Sequence, residues 1–187
     1  MSIRSVTWRM GSRPEDVNDL HVSSTEELRE VFYEIEREWK MSEYYKQLET
    51  ALTAITTSLV LDKVIGLALG SLVWETRVER DCIIQHALIS AIESILLRCG
   101  VLSSSPPCRY VQDPAYTQQD KHVLCSAGFT VLEDPEAFLT MDNSSVLVSI
   151  APNIPVMQIV ADICRPGVLL WMRKPESPRP LPPATSW

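Results

Sequence analysis

Asp113 ends a short β-type run, Arg109-Tyr110-Val111, and is followed by Pro114, with Tyr116 two residues further on. A carboxylate at the end of a buried strand can accept hydrogen bonds from a ribose or another polyol. Proline after it biases the backbone toward an extended conformation, which would hold the acid at a rim. Tyr116 would then lay an aromatic face beside a ring. Two other polar tips end apolar runs: Gly70-Ser71 after Val64 to Leu69, and Ala151-Pro152-Asn153 after "SVLVSI". In an open α/β sheet, ligands bind beyond the carboxyl ends of the strands, where the strand order switches. Gly70, Ser71, Asp113, Tyr116 and Asn153 are therefore candidates to line one crevice.

The same reading supplies proton carriers, each with a plainer alternative. His86 follows Gln85 near the start of a long helix whose first turns point toward the Gly70 loop. It is a candidate acid/base, or a ligand for iron or another metal. A packed histidine is the commoner outcome, because no second ligand lies beside it in the sequence. Asp120 sits three residues after Thr117, the spacing of a capping box, and that role outranks catalysis. Asp113-Pro114 reads equally well as a polar turn with no ligand. His122 lies opposite the apolar Val123-Leu124 pair and is expected to face solvent; His21 lies in an N-terminal arm.

Other chemistries are disfavoured. "GLALGS" is not GxGxxG, and the expected helix starts only roughly ten residues after Gly70, whereas a phosphate-cradling turn passes straight into its helix. No serine occupies a GxSxG elbow and no cysteine has an evident histidine partner, which disfavours covalent hydrolysis. The 5 cysteines, Cys82, Cys99, Cys108, Cys125 and Cys164, are scattered without a CxxC. That pattern fits reduced thiols in a cytoplasmic or nuclear protein and offers no zinc or other metal site.

The elements that must position these residues follow from periodicity. Residues 1-22 read as a loose arm. "SSTEELREVFYEIEREW" opens with a capping box, Ser24 and Glu27, and buries Leu28, Val31, Phe32, Ile35 and Trp39 on one helical face. A second helix begins at Ser42 and turns Tyr45, Leu48, Leu52 and Ile55 inward, so the lead-in 23-58 is helical. From "KVIGLAL" onward strands and helices alternate. The strand is followed by the helix "DCIIQHALISAIESILLRCG", and "CRYVQ" by "TQQDKHVLCSAG". "FTVLE", "SVLVSIA" and "VLLWM" are further strands, with "PEAFLTM" and "IPVMQIVADICRPG" as the helices between them. Repeated βα units with crossover-length connections imply an α/β fold, a Rossmann-like three-layer fold with a mostly parallel sheet of about five strands, preceded by two N-terminal helices. One domain over 23-172 is expected. The Pro-rich tail 173-187 is expected to be disordered.

Charge narrows the partners. Lys+Arg 17 against Asp+Glu 24 gives net charge -7 without a basic cluster, which argues against nucleic acid. The longest apolar runs fall short of the roughly 20 residues of a membrane-spanning helix, and no apolar leader core stands near the first residues. A small-molecule ligand and a protein partner remain.

On these residues the chain resembles the SRR1-like domain (Sensitivity-to-Red-Light-Reduced) family, from about Ser42 to Trp171. The resemblance rests on "SEYYKQLETAL", "KVIGLALGSL", "QHALISAIESIL" and "VQDPAYTQQDKHVLCSAGFTVL", the last being the most specific. The matched positions are Gly70, Ser71, Gln85, Asp113, Pro114, Tyr116, Asp120 and Gly128, which adds Gln85 to the ligand-binding candidates. Where the family usually has a Met-Pro-His-Cys-like turn, this chain reads "IAPNIPV", so Asn153 replaces the histidine and Ile154 the cysteine. That departure and the compact length resemble a divergent fungal branch. The resemblance implies a regulatory protein, associated with circadian and light responses, haem homeostasis and cytoskeletal phenotypes. It leaves three readings open: a module sensing a nucleotide-like or haem-type ligand; a methyltransferase-like or cyclase/isomerase enzyme with an adenosyl-type cofactor, using His86, Tyr116 or Asp120; and a protein-interaction scaffold. The cofactor stays unknown.

Overall fold

The computed structural model describes residues 4–8, 20–55, 60–102, 108–150 and 152–172. Two helices lead in, α1 (Thr25–Lys40) and α2 (Glu43–Ile55), followed by the repeated units. Those units are β2 (Lys63–Leu67), α3 (Arg80–Arg98), β5 (Cys108–Gln112), α4 (Gln118–Ser126), β6 (Thr130–Val131), α5 (Glu136–Thr140), β7 (Ser145–Ser149), α6 (Val156–Ile163) and β8 (Val168–Met172). Strand β1 (Arg4–Trp8) precedes them, and β3 (Val73–Trp74) with β4 (Arg77–Val78) forms a small hairpin between β2 and α3.

The main sheet has the order β1-β8-β7-β2-β5-β6, and every pairing in it is parallel. After the edge strand β1, the repeated units begin in the middle at β2 and step outward through β5 to β6. They then cross back to β7 on the other side of β2 and end at β8, beside β1. This is the doubly wound arrangement that the alternating units predict, and it places the topological switch between β2 and β7.

Alternate residues of each strand feed two cores, as the period of two requires. Val64, Val111, Val146, Val148, Val168 and Leu170 pack with α1, α2, α3 and α4. Ile65, Leu67, Leu147 and Leu169 pack with Ala137 and Phe138 of α5 and with Val156 and Val160 of α6. The central strand therefore has no solvent face, which explains its unbroken apolar sequence. At Gly66 the approach of α3 is close: a Cβ there would lie 2.3 Å from Ile89 Cδ1. The helical lead-in behaves as its periodicity predicts, with Leu28, Phe32, Ile35 and Trp39 buried on α1 and Leu48 and Leu52 on α2. The side chain of Ile55 lies outside the described residues.

Two expectations are corrected. Part of the supposed loose arm, Arg4–Trp8, pairs in register with Val168–Met172 as a sixth strand. The end of that arm is also engaged, because Val22 N–H donates to the Thr76 carbonyl and Val78 N–H to the Leu20 carbonyl. The loop after Gly70 contains the β3–β4 hairpin, whose turn residue Glu75 adopts a positive φ and whose Trp74 is exposed. The proline-rich segment 173-187 lies outside the described residues.

Candidate functional site

The ends of β2 and β5 meet. Gly70, with φ +80, turns its N–H to Asp113 Oδ2 (2.7 Å), while Asp113 Oδ1 accepts from Ala115 N–H (2.8 Å). The acid at the end of β5 thus ties the β2 loop to its own turn. It is half-buried, and each carboxylate oxygen keeps a second lone pair for a ligand. Gly70 is needed here twice over: its φ is costly for other residues, and a Cβ would stand 2.6 Å from Cys82 Sγ on α3.

Asp120 is the busiest acceptor of the cluster. It is wholly buried and accepts from Thr117 N–H (2.7 Å), the Thr117 hydroxyl (2.9 Å), the Ser71 hydroxyl (2.8 Å) and Leu72 N–H (3.0 Å). The capping box forms as Thr117 and Asp120 predict, and the same carboxylate fastens the loop after β2 to α4.

His86 is also wholly buried. Its Nδ1–H donates to the Cys82 carbonyl (2.6 Å), which leaves Nε2 to accept from the Tyr116 hydroxyl (2.8 Å). Burial drives its pKa down to about 4, against weaker upward pulls from the Cys82 carbonyl bond, Asp120 and Asp113. Tyr116 turns inward, its ring 5.7 Å from that of His86, and burial raises its pKa well above the ordinary tyrosine value. The pair is neutral, and both histidine nitrogens are engaged. Tyr116 therefore packs against His86, where the sequence suggests an aromatic face for a ligand.

Gln85 faces elsewhere. His86 reaches Tyr116 beyond β5, Ser90 and Glu93 reach Arg109 of β5, and Ile89 lies against Gly66 of β2. At about 100° per residue, Gln85 comes next in that rotation, past Ile89 and toward β7. It is 8% exposed, and its Oε1 is buried without a hydrogen-bond partner. The topology brings Asn153, beyond the end of β7, to the same end of the sheet, where it is exposed.

Sequence reasoning missed two features. Arg109, inside β5, pairs through Nε with Glu93 Oε2 (3.0 Å), donates to Ser90 Oγ (3.1 Å) and lies over the Phe129 ring. Only the charge of Arg109 within a strand hinted at a buried partner. Ser149, the last residue of β7, is 1% exposed and its Oγ has no partner. Its signal was a lone hydroxyl ending an apolar strand. Among the described residues, no group of three or more His, Cys, Asp or Glu could hold a metal ion.

The family model of the SRR1 domain matches residues 45–171, from within α2 to the end of the sheet. The chain belongs to the SRR1 domain family. No curated protein and no solved structure matches it. In this SRR1 domain the matched segment contains every candidate residue from Gly70 to Asn153. No helix among the described residues is long and apolar enough to cross a membrane.

Proposed function

We propose that this SRR1 domain protein is a regulatory module that senses a small nucleotide-like ligand in the crevice between the loops after β2 and β7. The observation that carries this reading is Gln85. A buried amide oxygen without a partner costs about 1–3 kcal/mol, and Gln85 Oε1 is one. The helix rotation that carries Gln85 past Ile89 supports a place for it on the side of the switch point, where doubly wound sheets bind ligands. Asp113, tied to Gly70 but half-buried, would meet ribose-type hydroxyls from one side. Gly70 and Ser71 would form the floor, and Asn153 would close the opposite rim.

Among the ligand types, a nucleotide-like one is favoured over haem. A histidine nitrogen or cysteine thiolate is a common axial ligand of haem, and both His86 nitrogens are engaged. Burial, followed by the carboxylates of Glu79, Asp81, Asp113 and Asp120, pushes the Cys82 thiol up to about 12. The sensing reading is also favoured over the enzyme. His86 and Tyr116 satisfy each other, and Asp120 already serves four donors, which suits a framework more than proton transfer. The reading places the protein in the cytoplasm or nucleus, with a link to light, circadian or haem regulation and a protein partner that reads the bound state.

Native mass spectrometry of the purified chain, with a thermal-shift panel of adenosine, AMP, ATP, NAD, S-adenosylmethionine and haem, tests it. A retained small molecule or a saturable rise in Tm with a nucleotide-like compound, lost in Gln85→Leu, is expected. No retained mass and no shift across the panel would overturn it.

A further inference from the structure

The two helices that begin beside the switch point differ in charge. Helix α3 starts among carboxylates, with Asp81 in its first turn and with Asp113 and Asp120 anchored to the loop that leads into it. Cys82, in the same turn, feels four acidic groups, Glu79, Asp81, Asp113 and Asp120. That neighbourhood repels anions. Helix α6 has no acidic residue in its first turn and no side-chain cap, because Pro155 occupies the N-cap position. Val156, Gln158 and Ile159 N–H groups find local carbonyls, while Met157 N–H has no acceptor among the described residues.

Ser149 is an independent observation at the same place. It shares a strand face with Leu147, which packs in the core that holds Val156 and Val160 of α6. Two residues further toward the carboxyl end of β7, Ser149 therefore lies beneath the start of α6, and its buried hydroxyl has no partner. A helix start with an open N–H and the dipole of aligned peptides favours negative charge.

Resting on the ligand-sensing reading above, we infer that Ser149 Oγ and the start of α6 form an oxyanion subsite that takes the phosphate or carboxylate end of the ligand. The hydroxyl- and amine-bearing end then lies toward Gly70, Asp113 and Gln85. The crevice is polarised, acidic on the α3 side and anion-accepting on the α6 side. In many doubly wound proteins the phosphate lies at the helix after the first central strand; the charges at α3 oppose that placement here.

Thermal shift and titration calorimetry at constant ionic strength, with inorganic phosphate, acetate, adenosine and AMP, test the subsite. Phosphate or acetate should raise Tm saturably relative to chloride, and whichever acts more strongly names the oxyanion. AMP should bind about 10-fold more tightly than adenosine, because about 1.4 kcal/mol is a factor of ten. Ser149→Ala removes an unpartnered buried hydroxyl, so without ligand it should melt no lower than the parent, yet lose the anion response. Gln158→Glu, on the exposed face of the first turn, should leave adenosine binding intact and weaken AMP about 5-fold or more. Equal affinity for adenosine and AMP, with phosphate and acetate indistinguishable from chloride, would overturn the subsite and leave the crevice reading standing. If adenosine and AMP both fail to bind while phosphate still shifts the parent but not Ser149→Ala, the subsite stands and the nucleotide reading falls. No response to any of the four would overturn the subsite, and with no retained mass and no shift across the wider nucleotide panel the crevice reading falls as well.

Discussion

Asp120 accepts four hydrogen bonds from three residues of two segments while wholly buried. Asp120→Ala should lower unfolding free energy by about 2–4 kcal/mol, because it leaves buried donors unpaired; urea denaturation measures this. His86 makes a pH prediction. Its folded pKa of about 4 lies below the ordinary 6.5, so in that window the unfolded chain binds the extra proton. Stability is then full above pH 6.5 and falls as pH drops toward 4, by about 3 kcal/mol. His86→Phe should flatten that slope in denaturation series at pH 7 and pH 5. The spacing Thr117-to-Asp120 made the capping box legible in the sequence. That Asp120 also takes Ser71 and Leu72 was not legible, since those donors lie far away in the chain. The same holds for Tyr116, whose inward turn depends on a histidine 30 residues earlier.

At the scale of elements, α3 and β2 approach so closely at Gly66 that the Ile89 side chain takes the space a Cβ would need. A methyl there would meet Ile89 Cδ1 at 2.3 Å and Leu69 Cδ1 at 2.6 Å. Gly66→Ala should therefore cost about 1–3 kcal/mol through overpacking, visible as a lower urea midpoint with an unchanged m-value. The five strands and six helices read from periodicity are present because each has a strong local pattern and turn residues at its ends. The β3–β4 hairpin escaped notice because two-residue strands have no period to read. Strand β1 did carry a signal, Val6 and Trp8 alternating with Ser5 and Thr7. Nothing local showed that a partner waited near the other end of the chain. For the candidate site, strand order was the decisive unknown, and no single segment encodes it.

For the whole molecule, the sheet has an edge at each side, and β1 covers the one that β8 would otherwise present. Removing residues 1–8 should expose a row of unpaired peptide groups along Val168–Met172. Hydrogen exchange should show faster exchange there, and light scattering should show concentration-dependent self-association. Unchanged exchange in β8 would mean that β1 contributes little. That pairing also bears on biosynthesis. Its two halves stand roughly 160 residues apart, so Arg4–Trp8 must wait, unmatched, until Val168–Met172 has left the ribosome. A nascent chain can join β2 to β5 before this rim exists, and Arg4–Trp8 would be the last of the described strands to find its place.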